Sequence, residues 1–246
     1  NETQNNAIMN KYKDEKYRGY TINVCYDPDP ESPREWSKVA KILSFSRNLI
    51  FDEHEYKDID CLYADLLREH CSELYNELVD HDLMWHDGIT WYFEDDDVFS
   101  RVKKALENSV VIMPISCYSH GDSTIWLGHP NDKWDSGYVG VALQTKEDTI
   151  RECGANEQSW KEVAKKNIQS EVECLDQYIR GDVYGYILED KDGDNIDSCF
   201  GFFGENGIAA AISEAKSIVD GEIRYKVMGN ERREPMLFTY EEMCGA

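Results

Sequence analysis

Basic residues are scarce in this chain. Lys and Arg number 26 against 49 Asp and Glu, a formal charge of −23 over 246 residues. Such an excess repels nucleic acid, itself a polyanion, and attracts basic surfaces. Proline is scarce as well, and three of the six prolines crowd into Pro28–Pro33. That segment cannot run through a central strand or a helix interior. No run of about 18 apolar residues occurs, so no segment is a candidate membrane span. The longest apolar stretch, Val110–Ile115, is interrupted by Pro114. The opening residues Asn1–Asp14 are polar and lack the apolar core of a signal peptide. A start without Met points to a piece of a longer product. Eight cysteines are dispersed with no Cys-x-x-Cys pair, which reads as reduced thiols of a cytosolic protein.

The usual catalytic signatures are also missing. There is no Gly-x-Ser-x-Gly elbow. The glycine-rich segment Gly201–Gly207 lacks the Lys-Ser/Thr ending of a phosphate loop. Asp190, Asp192 and Asp194 begin like a calcium loop, but Gly193 comes too early and no Glu closes it. They read as a hairpin turn with Asp-Gly at its tip. Cys117, His120 and His129 offer only one closely spaced pair where a structural zinc site uses two. His81 and His86 read as surface groups, and Asp135-Ser136-Gly137 as a tight turn.

A core is affordable, with 41% hydrophobic residues and 15 Tyr, 8 Phe and 6 Trp. Alternation and β-branched content predict strands at Tyr20–Tyr26, Val39–Phe45, Ile89–Phe93, Val110–Ile115, Tyr138–Leu143, Val183–Leu188, Ile196–Phe203 and Glu222–Met228, with a further candidate at Leu237–Tyr240. Three-and-four spacing predicts helices at Ile59–Leu78, Val98–Leu106, Lys146–Cys153, Gln158–Ile179 and Ile208–Ile218. Ser32, Pro33 and Glu35 form a helix-start pattern. Cys117–Asp135 reads as a long loop. Asn1–Lys16 reads as a polar arm. The fold class expected is α+β, mostly antiparallel sheet with flanking helices and an acidic helical insertion. The arm occupies 1–18, and a domain spans 19–246 with the insertion at about 46–108.

The best candidate contact surface is Trp91 and Tyr92 followed by Glu94, Asp95, Asp96 and Asp97. Clustered carboxylates can stand in for DNA phosphates or meet an Arg/Lys patch, and neighbouring aromatics can anchor the interface. The same acids also suit a solvated helix N-terminus. The acidic face of Ile59–Leu78 offers a similar choice.

Four stretches occur in a fixed order: Asp27–Trp36, Trp134–Gly140, Asp176–Tyr186 and Ile196–Gly204. Together they resemble a family of proteins carried by phages and mobile elements, across roughly Tyr20–Gly204. Size and acidity are similar to those of the Gabija anti-defence family, viral inhibitors of a bacterial immune complex of an ATPase-nuclease and a helicase-like subunit. The resemblance implies a non-enzymatic inhibitor in the cytoplasm of the infected host. It would assemble around the complex as a homo-oligomer and block DNA binding or cleavage. It implies no catalytic residues, cofactor, metal, membrane or direct nucleic-acid contact. Within the stretches that carry the resemblance, the aromatics Trp36, Trp134, Tyr178, Tyr184, Tyr186, Phe200 and Phe202 are expected to serve the fold, and Gly137, Gly140, Gly181, Gly201 and Gly204 its turns and bulges. The alternative from another class is a small hydrolase or nucleotide-processing enzyme using the 117–137 loop, with His120, Asp122, His129 and Asp135 as its polar groups.

Overall fold

The computed structural model describes residues 10–231 except 37, 48, 50, 121 and 131–135. In chain order the elements are β1 (Lys11–Tyr17), β2 (Tyr20–Tyr26), β3 (Lys41–Ser44), α1 (Ile59–His70), α2 (Ser72–Asp80), β4 (Met84–His86), β5 (Trp91–Phe93), α3 (Asp96–Leu106), β6 (Val110–His120), β7 (Asp122–Leu127), β8 (Ser136–Thr145), α4 (Lys146–Cys153), α5 (Trp160–Ile179), β9 (Val183–Glu189), β10 (Asn195–Phe203) and α6 (Gly204–Glu231). The fold is α+β, and every strand pairing is antiparallel. The chain divides into two compact units: Glu31–Arg180, and a unit joining Asn1–Pro30 to Gly181–Ala246.

The unit built from both ends of the chain is a sheet, β1-β2-β9-β10, with α6 on one face. Alternation does the sorting: Ile22 and Val24 on β2 lie opposite Leu188 and Tyr186 on β9, and all four are buried. The helix answers with Ile208, Ala211, Ile212, Ala215 and Val219, spaced by three and four residues. The Tyr186 hydroxyl donates to Asp197 at 2.6 Å. Burial and that hydrogen bond push the phenol far above its ordinary value. Between β9 and β10, the Asp190 carboxylate accepts the N–H groups of Asp192 and Asp194, so it is spent on its own turn. Gly201, at φ +88°, occupies the bulge between Phe200 and Phe202, where a side chain would be strained.

The Glu31–Arg180 unit centres on a second sheet, β3-β8-β6-β7. Neighbouring residues on its strands serve opposite faces. Ile42, Val111 and Ala142 pack towards Trp160, Ala164, Ile168 and Leu175 of α5. Leu43, Val110 and Leu143 pack towards Leu62, Leu66, Leu67, Leu78, Val102 and Leu106. That second layer is the acidic insertion: α1, α2, the two-stranded ribbon β4–β5, and α3. Each fully buried Leu contributes about 1.5–3 kcal/mol, which holds the insertion against the sheet despite its charge. Gly140 lies where β8 meets β3, and a Cβ there would come within 2.0 Å of the Leu43 carbonyl oxygen.

The proline-rich segment ends in a 3-10 turn, Pro33–Glu35, with Ser32 as its cap. It delivers Arg34 into the unit, where the guanidinium pairs with Asp52 and Glu171, each at 2.6 Å. Asp52 also accepts the Ile42 N–H at 2.8 Å, and Glu171 those of Val39 and Ala40 at 3.0 Å. Burial acts to raise the Asp52 carboxyl, but the bonds from Arg34, Ile42 and Lys38 outweigh it and hold the group below its ordinary value.

Several expectations are corrected. Lys11–Tyr17, expected within a polar arm, pairs with β2, because Glu15 and Tyr17 reach Lys216 and Asp220 of α6. The helix expected at Ile59–Leu78 breaks at Cys71, whose backbone leaves the helical region at φ −142°, ψ 53°; both halves still face one core. The loop expected at Cys117–Asp135 contains the end of β6 and all of β7. Asp176 of α5 accepts Thr124 Oγ1 and Ile125 N–H at 2.7 and 2.8 Å, tying that strand down. The strand expected at Glu222–Met228 belongs to α6. Leu237–Tyr240 lies outside the described residues. No helix among the described residues is long and apolar enough to cross a membrane.

Candidate functional site

The corner where the β4–β5 ribbon meets α3 carries the contact residues expected from the sequence. The ribbon is short, yet it is held at both ends. Its turn is organised by Asp87, whose Oδ1 accepts the N–H groups of Ile89 and Thr90 at 2.8 and 2.9 Å. Gly88 turns the chain at φ +98°. The N–H groups of Thr90 and Ile89 hold the Asp87 carboxyl below its ordinary value. Thr90 is buried and its hydroxyl donates to Asp58 Oδ2 at 2.5 Å, while Asp58 Oδ1 caps α1 through the Cys61 N–H at 3.0 Å. At the other end the Glu94 N–H donates to the Leu83 carbonyl at 3.0 Å.

Register divides the ribbon into two faces. Met84 pairs with Phe93 and His86 with Trp91; on this face Met84, Trp91 and Phe93 pack against the core while His86 stays exposed. Trp91, expected at the contact surface, packs edge-on against Tyr75 with ring centres 5.7 Å apart. It is an internal support of the ribbon. Trp85 pairs with Tyr92 on the other face, their rings 5.8 Å apart and within 19° of parallel. The Tyr92 hydroxyl donates to Asp87 Oδ2 at 3.0 Å, which raises the phenol above its ordinary value.

Glu94, Asp95, Asp96 and Asp97 are all exposed. Asp95 is the N-cap of α3 and accepts the Val98 N–H at 2.8 Å. Asp96 and Asp97 lie in the first turn, where carboxylates complement the helix dipole. Capping and contact are compatible here, since Glu94, Asp96 and Asp97 keep their carboxylates in solvent. The corner therefore brings Tyr92 and the four acids together and turns Trp91 inward. Sequence reasoning missed Trp85, Asp87 and Ile89. The signal was partial: Met84-Trp85-His86 and Trp91-Tyr92-Phe93 flank a short loop with Gly88 in it, and a turn centred on Gly88-Ile89 sets Trp85 opposite Tyr92.

Cys117 is buried and its thiol is raised by that burial. His129 Nδ1 is hydrogen-bonded to the Tyr138 hydroxyl. Asp135 lies outside the described residues, as do the side chains of His120 and Asp122. Among the described residues no three His, Cys, Asp or Glu side chains converge to hold a metal ion.

A cleft of about 1170 Å³ opens beside the inner face of the ribbon, between α1, β3 and α4. Carboxylates line it in excess of Lys and Arg, seven to four. His54 Nε2–H donates to the Ser44 carbonyl at 2.8 Å. His54 Nδ1 and His70 Nε2 are buried and have no hydrogen-bond partner among the described residues.

No family model, curated protein or solved structure matches the chain.

Proposed function

We propose that the protein is a phage-encoded, non-enzymatic inhibitor that binds a bacterial anti-phage defence complex and blocks its DNA binding or cleavage. The resemblance of its motif order to phage and mobile-element proteins, together with its size and acidity, directs the reading to the Gabija nuclease-helicase complex in the cytoplasm of the infected host, met by a homo-oligomer of this chain. The observation that carries the reading is the ribbon–α3 corner. There Glu94, Asp96 and Asp97 stand in solvent beside the exposed Tyr92, on an element fixed at both ends. A surface that engages DNA is basic, and a chain of net charge −23 is steered towards it. Acids supply the encounter rate and a buried aromatic supplies the residence time.

The test is capture of the purified Gabija complex by the full chain, alongside DNA cleavage by that complex. The wild type is expected to be retained and to suppress cleavage. The triple variant Glu94→Lys, Asp96→Lys, Asp97→Lys is expected to associate at least about tenfold more slowly. Failure of the wild type to retain the complex at physiological salt overturns the proposal.

The unshared ring nitrogens of His54 and His70 favour a second reading, a small-molecule site in the cleft. Turnover by the purified chain on a panel of nucleotides and esters, abolished by His54→Ala, would replace inhibition by binding with catalysis.

A further inference from the structure

We propose that the outer face of the β4–β5 ribbon docks an arginine side chain on the basic surface of a partner protein. This deepens the binding role above and rests on it. Trp85 and Tyr92 keep 45% and 38% of their surface exposed and face each other across the ribbon. Large apolar groups grouped on one face of a monomer mark a contact site more often than scattered ones do.

The face is stiff as well as apolar. Asp87 ties the turn and the Tyr92 hydroxyl together, and Thr90 anchors the turn to Asp58. A rigid face loses little conformational freedom on binding.

The chemistry of the occupant follows from the rings and their surroundings. Nearly parallel Trp85 and Tyr92 present a flat π surface, and a planar guanidinium stacks on such a surface as a compact ammonium cannot. Carboxylates border it: Asp87 at the turn, Glu94 at the end of the ribbon. The same carboxylates repel a second copy of this anionic chain, so self-association is the less favoured occupant. A neutral apolar partner would leave the acids without counter-charges. An arginine satisfies both features at once.

The experiment uses the full chain with an immobilised oligoarginine peptide, and an oligolysine peptide of equal length as the comparison. The double variant Trp85→Ala, Tyr92→Ala preserves net charge and removes only side chains outside the core. Wild type is expected to bind oligoarginine more tightly than oligolysine. The double variant is expected to lose about tenfold in oligoarginine affinity, mainly through faster dissociation, and Trp85→Phe to restore part of it. An unchanged melting temperature in the double variant ties the loss to the face itself. Equal binding of the two peptides by the wild type overturns the guanidinium preference. Undiminished oligoarginine binding by the folded double variant overturns the docking face, as does wild-type self-association that the double variant abolishes. The peptide assay needs no host complex. Peptide binding that depends on Trp85, combined with no capture of the defence complex, would therefore fall on the proposed target and leave the face standing.

Discussion

Individual side chains in this protein often serve the fold and the candidate site together. Asp95 belongs to the acidic run yet caps α3 through the Val98 N–H. Asp95→Ala is expected to cost about 1 kcal/mol of stability, read as a lower urea midpoint, while association with a basic partner slows less than for Asp96→Ala. Asp52 shows the same economy next to the cleft. Its carboxyl is held below its ordinary value by Arg34, the Ile42 N–H and Lys38 against the effect of burial. A depressed carboxyl stabilises the native state above the unfolded-state value of about 3.9 and loses that contribution as pH falls through its folded value. Asp52→Asn is therefore expected to destabilise by about 3 kcal/mol at neutral pH. The gap between variant and wild type should narrow in acid below the folded value, once the wild-type carboxyl is protonated too. Urea unfolding at the two pH values checks this. An equal gap at both would remove the ion pair as its cause.

At the scale of elements, much was legible wherever a local signal agreed with the tertiary one. Lys146–Cys153 ends at Gly154 because a left-handed residue, φ +65°, closes the helix there. The β9–β10 hairpin follows from Asp-Gly at its turn. Disagreement arose where long-range packing decided. Nothing local marks the break at Cys71, which has neither Gly nor Pro beside it. The polar composition of 117–135 hid β7, which is fixed by a carboxylate on α5 that is 52 residues away for Thr124. Glu222–Met228 looked extended by composition, but the apolar spacing of Ile212, Ala215 and Val219 carries α6 onwards. The ribbon was half seen: Trp91 and Tyr92 stood out as a pair, and period-two alternation sends them to opposite faces. Gly221 gives a direct check on the helix. A Cβ there meets nothing, and its φ is not in the left-handed range. Gly221→Ala is expected to stabilise the protein by about 0.5–1 kcal/mol, seen as a rise in melting temperature. A fall would contradict a helix through that position.

The whole molecule is governed by its charge. An excess of 23 negative charges lowers the stability of a compact chain through self-repulsion. Salt is therefore expected to act in two directions. It should raise the melting temperature of the isolated chain by screening repulsion, and it should slow the encounter with a basic partner by screening attraction. A protein whose carboxylates served only solubility would show the first effect without the second. The measurement that tests the account most directly is the association rate of the full chain with the purified Gabija complex, taken from about 0.05 to 0.5 M salt. The account predicts a fall of at least about tenfold across that range, with most of the dependence removed by Glu94→Lys, Asp96→Lys, Asp97→Lys. A rate that is indifferent to salt, or a dependence that stays undiminished in the triple variant, would contradict it.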